Sequence, residues 1–223
     1  TANQNVTVLD NIVPTITAPA NIATTTNTAC TATGLALGTP TTADNCSVAS
    51  ATNNAPAAFP LGVTTVIWTV TDGSGNTATA NQTVTVTDNI NPTITAPANI
   101  ATSTNMACTA TGVALGTPTT TDNCSVASVT NNHPSTTYPL GSTTVIWTVT
   151  DGSGRTATAN QIVTVTDNIN PTITCPTNIS QNVGAGTCTA NITTTNPTTA
   201  DNCSVTKLTW ALTGATALSS AAT

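Results

Sequence analysis

The sequence predicts an all-β protein made of tandem two-sheet sandwiches, and three observations support this prediction. The chain is rich in Thr, whose β-branched side chain favours extended backbone. Short alternating runs such as "TVTVTD" and "TTVIWTVTD" are separated by Gly, Pro and Asn clusters about every ten residues, which indicates about seven strands per sandwich. The same phrases recur in fixed order along the chain, which is typical of beads on a string.

The repeat period places the domain boundaries. The pair Asp-Asn recurs with a spacing of 78 and then 79 residues, beginning at Asp10, Asp88 and Asp167. Residues 10–87 and 88–166 are two whole repeats, and residues 167–223 are a partial third repeat that lacks its last strands. Residues 1–9 match the end of a whole repeat, so we expect them to be the final strand of a preceding or neighbouring repeat. A repeat of this length is long enough to be a small independent domain.

Alternation along one strand predicts the core of each repeat. In "TTVIWTVT", Val66, Trp68 and Val70 point to one face of the sheet, and the intervening Thr residues point largely to the other. We therefore expect Trp68 to anchor the core of the first repeat. Trp147 occupies the matching position and is expected to anchor the second.

The composition excludes several classes of function. The formal net charge is −6, the pI is about 4.1 and 4% of the residues are charged, so the chain cannot assemble the basic patch that nucleic acid or an anionic membrane surface requires. No stretch reaches the apolar length of a membrane span, and we expect no membrane insertion. With no Glu, one His, one Lys and no nucleophile beside a base, the sequence predicts that the protein is not an enzyme.

The cysteines predict disulfides. Equivalent positions of the three repeats hold the pairs Cys30 and Cys46, Cys108 and Cys124, and Cys188 and Cys203, so the sequence predicts one disulfide within each repeat. Such a bond would add about 3 kcal/mol of stability in the chain-entropy model, and it implies an oxidising compartment. The absence of any Cys-x-x-Cys motif and the presence of a single His disfavour zinc.

Every Asp belongs to a repeated phrase, and two interpretations of these residues stay open. One is calcium at the repeat boundaries, bound through Asp10, Asp88 and Asp167, because the boundary phrase resembles the Asp-Asn-x-Pro linkers of cadherins, where calcium stiffens the array. The other is that Asp and Asn cap turns through side-chain-to-backbone hydrogen bonds, with "DGSGN" as a hairpin turn. The sequence predicts no required cofactor.

Three phrases resemble those of the hyalin repeat, or HYR, family: "PTITAP" or "PTITCP", "TTADNCSV" and "TTVIWTVTDGSGN". All three occur in order in both whole repeats, with "TTTDNCSV" and "TTVIWTVTDGSGR" as the forms in the second, and the first two occur again in the third, so the resemblance covers essentially the whole chain. It implies an Ig-like extracellular module and a protein located outside the cell or on its surface. In this family the Cys at position 175 usually pairs with a Cys in the final strand, so the resemblance implies that Cys175 is unpaired or has an external partner.

The resemblance and the near identity of the first two repeats predict a structural protein, a subunit or segment of a cell-surface rod or filament. Residues 1–9 of one copy could complete the third repeat of another and join copies head to tail by β-strand addition, or further repeats of a longer chain could flank this one. The alternative function is an adhesin stalk or a module that binds carbohydrate or protein.

Covalent glycans are a further expectation, because a surface with so few charges needs another means to stay soluble. The chain is rich in Thr, which can carry such sugars. The candidate attachment sites in Asn-x-Ser/Thr triplets are Asn5, Asn45, Asn81, Asn123, Asn178, Asn191 and Asn202.

Overall fold

The structure is a computed structural model that describes residues 2–211, and this part of the chain contains strands and no helix. The all-β prediction is confirmed. The chain forms two compact units. Of the described residues, the first unit contains 2–96, 118–131 and 147–159, and the second contains 97–117, 132–146 and 160–211. The predicted end of the third repeat, residues 212–223, lies outside the described residues, as does Thr1.

The first repeat has a four-stranded sheet of order β2-β8-β7-β5 and two short antiparallel pairs, β1–β4 and β3–β6. In the sheet, β2 runs parallel to β8, and the other neighbours are antiparallel. The strands are β1 (Thr15–Thr17), β2 (Ile22–Thr25), β3 (Thr31–Thr33), β4 (Thr41–Ala43), β5 (Val48–Asn53), β6 (Ala58–Pro60), β7 (Gly62–Asp72) and β8 (Thr77–Thr87).

The second repeat has the same strand order, β10-β16-β15-β13, with the short pairs β9–β12 and β11–β14. The third repeat contributes the antiparallel pair β17–β18. These strands are β9 (Thr93–Thr95), β10 (Ile100–Ser103), β11 (Thr109–Ala110), β12 (Thr119–Thr121), β13 (Val126–Asn131), β14 (Tyr138–Pro139), β15 (Gly141–Asp151), β16 (Thr156–Thr166), β17 (Thr172–Thr174) and β18 (Thr198–Ala200).

The core of the first repeat lies between the inner face of the four-stranded sheet and the pair β3–β6. Burial alternates along β7 as the sequence predicts, and Val66 and Val70 are fully buried. Trp68 is 5% exposed and lies in this core, and Trp147 is 7% exposed in the second repeat. The buried members of the core cluster are Ala32, Phe59, Val66, Trp68, Val84 and Val86.

A buried glutamine connects this core to the surrounding loops. Gln82 is fully buried on β8, and its Oε1 accepts the indole N–H of Trp68 at 3.0 Å. Its Nε2 donates to the carbonyls of Ala20 at 2.7 Å and Leu37 at 3.0 Å. Gln161 donates to the matching carbonyls of the second repeat at 2.8 and 2.9 Å. The buried amide therefore fixes two loop segments against the sheet, because an unpaired buried amide would be costly.

The β7–β8 hairpin extends between the two ends of the first repeat, and we call the end where the chain enters the repeat the entry end and the opposite end the exit end. The hairpin turn lies at the entry end, close to the boundary phrase, because Asn76 Nδ2 donates to the carbonyl of Asp10 at 3.2 Å. From there β8 runs to the exit end, where it ends at Thr87. The backbone N–H of Thr26 donates to the carbonyl of Thr87 at 3.0 Å, so the loop that follows β2 lies at the exit end. The 11 residues of β8 separate the two ends by roughly 35 Å.

Candidate functional site

Three Asp phrases converge in each whole repeat. In each group, each of three Asp residues offers one carboxylate oxygen, and these three oxygens lie within 4.8 Å of one another. We call Asp10, Asp44 and Asp72 the first Asp triad, and Asp88, Asp122 and Asp151 the second Asp triad. The members come from the boundary phrase, from the Asp-Asn-Cys phrase and from the turn of the long hairpin. The sequence interpretation put forward only the boundary Asp of each repeat, although the other two phrases recur with the same period.

One oxygen of each Asp in the first triad helps to form a local turn. Asp10 Oδ1 accepts the backbone N–H of Ile12 at 3.1 Å, and Asp44 Oδ2 accepts the N–H groups of the second and third residues that follow it, at 2.9 and 3.0 Å. Asp72 Oδ1 accepts those of Ser74 at 2.9 Å and Asn76 at 2.8 Å. These are the caps and the hairpin turn that the turn interpretation predicts.

In the second triad, one carboxylate oxygen of each Asp likewise helps to form a local turn, and the other carboxylate oxygen does not. Asp88 Oδ1, Asp122 Oδ2 and Asp151 Oδ1 accept backbone N–H groups of the residues that follow them, at 2.8 to 3.0 Å. The opposite oxygens, Asp88 Oδ2, Asp122 Oδ1 and Asp151 Oδ2, are buried and accept no hydrogen bond from the described part of the chain. Asp88 is 6% exposed and Asp151 is 1% exposed, so two of these residues are almost fully shielded from water.

The two triads differ at one neighbouring position. Asn76 Nδ2 donates to Asp72 Oδ2 at 2.7 Å, so the second oxygen of Asp72 already has a partner. Arg155 takes the place of Asn76 in the second repeat, and its Nε donates to the carbonyl of Asp88 at 3.2 Å. Burial of Asp72 opposes its ionisation, but the hydrogen bonds from the side chain and backbone of Asn76 outweigh burial and lower the pKa of Asp72.

The structure corrects the predicted disulfides. Cys30 is bonded to Cys124, and Cys108 is bonded to Cys203, at sequence separations of 94 and 95 residues. Each bond therefore joins a position in one repeat to a position in the next. The predicted pairs within a repeat, Cys30 with Cys46, Cys108 with Cys124, and Cys188 with Cys203, are wrong.

The physical reason is the separation of the two ends of a repeat. Cys30 lies in the loop at the exit end, whereas Cys46 lies at the entry end, where the preceding Asn45 donates to Asp10 Oδ1 at 3.4 Å. The length of β8, roughly 35 Å, far exceeds the span of a disulfide, whose Cα atoms lie about 4.4–6.8 Å apart. The exit-end Cys can therefore reach only the entry-end Cys of the following repeat.

Beside each disulfide, an Asn of the following repeat donates hydrogen bonds to the preceding repeat. We call each disulfide together with this asparagine clamp a joint, namely Cys30–Cys124 with Asn123 and Cys108–Cys203 with Asn202. Asn123 Nδ2 donates to the carbonyl of Ala29 at 3.2 Å and to Thr26 Oγ1 at 3.3 Å, both in the first repeat. The same amide donates to Asp88 Oδ1 at 3.3 Å, so the second Asp triad is in contact with the joint. Asn202 makes the two matching contacts with the second repeat, both at 3.0 Å.

The remaining predicted residues lie outside these two joints. Cys46, Cys175 and Cys188 are free and exposed among the described residues. A hydrogen bond with Asp10 and the charge of the same carboxylate raise the pKa of the Cys46 thiol. Asp167 Oδ1 accepts a hydrogen bond from the hydroxyl of Thr104 at 3.4 Å. Among the described residues, Asp167 belongs to neither Asp triad.

The candidate glycosylation sites fall into two classes. Asn123 and Asn202 are half-buried, and the Nδ2 atom that would carry the sugar is hydrogen-bonded at the joints. The side chains of the other candidates are exposed, namely Asn5, Asn45, Asn81, Asn178 and Asn191.

The fold has distant structural neighbours among cadherin ectodomains. Drosophila N-cadherin EC1-4 is 10% identical with a TM-score of 0.36, and the match covers 69% of this chain and 49% of that one. Human protocadherin-24 EC1-2 is 10% identical with a TM-score of 0.37, covering 71% of this chain and 100% of that one. Mouse cadherin-23 EC22-24 is 15% identical with a TM-score of 0.30, covering 71% and 66%.

The family assignment comes from the sequence. No curated protein matches the chain. In the described residues, we find no helix with the length and hydropathy needed to cross a bilayer. The family model for the HYR domain matches residues 9–86 and 87–165, which together are more than half of the chain. The chain therefore belongs to the HYR domain family, as a tandem array of extracellular-type repeats.

Proposed function

We propose that the protein is a structural element of an extracellular, cell-surface rod or filament, built from repeats that are covalently linked to each other and from copies joined head to tail. The observation that supports this proposal is the repetition of one joint. Cys30–Cys124 and Cys108–Cys203 have nearly the same sequence separation, and each is accompanied by the same asparagine clamp. A joint that recurs with the repeat period extends an array by any number of repeats.

Two free thiols match the two halves of this joint. Cys46 occupies the position of Cys124 and Cys203, and Cys188 occupies the position of Cys30 and Cys108. Both are exposed and free. The thiol of Cys188 in one copy and that of Cys46 in the next would complete a third joint of the kind that the chain contains twice.

The segment before the first repeat supports the same pairing of copies. Residues 2–9, "ANQNVTVL", match "ANQTVTVT" of β8, yet they form no strand here, and Val6 and Val8 are 78% and 90% exposed. In the third repeat Ile173 is 55% exposed, whereas its counterpart Ile16 packs against the core of the first repeat. An exposed strand-like segment and an uncovered apolar position fit donation of a strand from one copy to the third repeat of another.

The positions of the aromatic side chains favour a structural role over carbohydrate binding. Sugar sites present exposed flat rings. Trp68, Phe59, Trp147 and Tyr138 are buried, at 7% exposure or less, and the remaining Trp, Trp210, is half-buried. The four buried rings serve the cores of the two whole repeats and are not available to a ligand.

Cysteine variants of the full chain test the assembly. We expect purified protein under oxidising conditions to form a ladder of disulfide-linked multimers on a non-reducing gel, and filaments in electron micrographs. Cys46→Ser and Cys188→Ser should each abolish the ladder, and an equal mixture of the two variants should give dimers and no larger species. Cys175→Ser is the matched control and should leave the ladder unchanged. A ladder that survives in both single variants, or that requires Cys175, would contradict the proposed joint.

A further inference from the structure

We propose that the second Asp triad, Asp88, Asp122 and Asp151, is a calcium-binding site at the joint between the first two repeats. The three carboxylates supply oxygen atoms within 4.8 Å of one another. This spacing is compatible with one cation in contact with all three, since calcium binds oxygen at about 2.3–2.6 Å.

The orientation of the carboxylates is the main argument. Each residue uses one oxygen to cap a turn and leaves the other buried without a hydrogen-bond partner in the described residues. These orphan oxygens are Asp88 Oδ2, Asp122 Oδ1 and Asp151 Oδ2, one from each member. A buried carboxylate oxygen without a partner is unfavourable, and so are three negative charges at this distance. One divalent cation removes both penalties at once.

The chemistry of the ligands selects calcium. The site offers carboxylate oxygens and no imidazole or thiolate, because the neighbouring Cys124 is in a disulfide. Its members come from two loops and from the end of strand β15, and Asn123, beside Asp122, has a buried Oδ1 atom that also lacks a partner among the described residues. Calcium accepts such irregular sets of six to eight oxygens, including water, whereas magnesium demands a near-ideal octahedron. The affinity expected for an extracellular site of this kind is on the order of 10⁻⁴ to 10⁻³ M.

The first Asp triad provides an internal comparison. Its Asp72 has both oxygens hydrogen-bonded, and Asp10 and Asp44 are only half-buried. The orphan oxygens of the first triad are therefore fewer, Asp10 Oδ2 and Asp44 Oδ1. We assign calcium to the second triad for this reason.

Asp122→Asn is the informative variant. An Asn at this position retains an oxygen that can accept the N–H groups of Cys124 and Ser125, so the turn is kept while one anionic ligand is lost. Asp167→Asn is the matched control, because it makes the same change of charge at the next boundary phrase, outside both triads. Both variants are made in the full chain, with all disulfides intact.

Calorimetric titration of chelator-treated protein with CaCl2 measures the number of bound ions. We expect Asp122→Asn to bind one calcium fewer per chain than the wild type, and Asp167→Asn to bind the same number as the wild type. The wild type should also melt at a higher temperature in CaCl2 than in chelator. In chelator alone, Asp122→Asn should melt no lower than the wild type, because it relieves repulsion within the triad.

Three results would overturn the assignment. They are the absence of binding heat together with equal melting temperatures in CaCl2 and chelator, an unchanged calcium count in Asp122→Asn, and equal affinity for MgCl2. The site lies inside one chain, so a failure of head-to-tail assembly would leave this titration unaffected. The two proposals therefore fail independently.

Discussion

Replacement of Gln82 by Leu should destabilise the first repeat more than most single substitutions. Gln82 is fully buried and makes three hydrogen bonds, with the indole of Trp68 and with the carbonyls of Ala20 and Leu37. A Leu of similar size leaves these three polar groups without this partner, and each such group costs about 1–3 kcal/mol. The added apolar burial offsets part of this cost, so we expect the free energy of unfolding to fall by about 3–5 kcal/mol.

The magnitude is large compared with the stability of one repeat. A domain of this length is expected to have a free energy of unfolding of roughly 4–12 kcal/mol. Gln82→Leu should therefore bring the first repeat close to unfolding, while the second repeat keeps its own glutamine, Gln161, and its native stability. Hydrogen exchange should show lost protection in β7 and β8 and retained protection in β15 and β16.

Chemical denaturation with Thr79→Val as the control completes the test. Thr79 is exposed on the same strand, and its replacement should change the free energy of unfolding by less than about 0.5 kcal/mol. A decrease of less than about 1 kcal/mol for Gln82→Leu would be on the order of the control's effect. It would show that the buried hydrogen bonds of Gln82 do not stabilise the first repeat as we describe.

Three further predictions concern the joint, the acid response and the glycans. Cys30→Ser removes a bond that closes a loop of 94 residues and should lower the free energy of unfolding by about 4.7 kcal/mol in the chain-entropy model. Non-reducing peptide mapping of the wild type should recover Cys30 linked to Cys124, and a Cys30–Cys46 peptide would contradict this. The folded pKa of Asp72 lies below its usual value of 3.8, so the stability that Asp72 contributes is complete above that value and is lost as the pH falls through the folded pKa. In chelator, Asp72→Asn should therefore lose stability less steeply than the wild type below pH 3.8, and parallel denaturation curves would disprove the effect. Glycopeptide mass spectrometry of native material should find no sugar on Asn123 or Asn202, whose Nδ2 atoms are hydrogen-bonded, and any sugar there would show that these joints do not form.

Burial periodicity made the strands predictable. Along β7 the buried and less buried residues alternate as the sequence indicates, because a period of two places every second side chain on the core face. The role of Gln82 could not be read in the same way. A polar residue at a core position contradicts the apolar pattern, and only the positions of Trp68 and two loop carbonyls show that its hydrogen bonds are satisfied.

The disulfide partners were not predictable from the repeat pattern. Cys30 is separated from Cys46 by a short segment that contains β3 and β4, and from Cys124 by that segment plus one repeat period, so equivalence between repeats allows both pairings. The choice depends on which end of the sandwich each loop occupies. That information lies in the pairing of β2 with β8, which runs parallel and brings the Cys30 loop to the end of β8. Such long-range strand pairing leaves no local signal in the sequence.

From the sequence, turn capping and calcium binding were alternative interpretations of the Asp residues. A carboxylate has two oxygens, however, and in the second triad one of them caps a turn while the other stays without a hydrogen-bond partner in the described residues. The turn that Asp122 caps with Oδ2 leaves its Oδ1 buried and without a partner in the described residues, and one oxygen of Asp122 lies within 4.8 Å of one oxygen each from Asp88 and Asp151. Turn capping thus orients the second oxygen and does not argue against a cation. The next two residues are the clamp Asn123 and the disulfide-bonded Cys124. Because consecutive residues of one loop supply the ligand, the clamp and the covalent bond, a cation at the triad would restrict the same backbone that joins the two repeats.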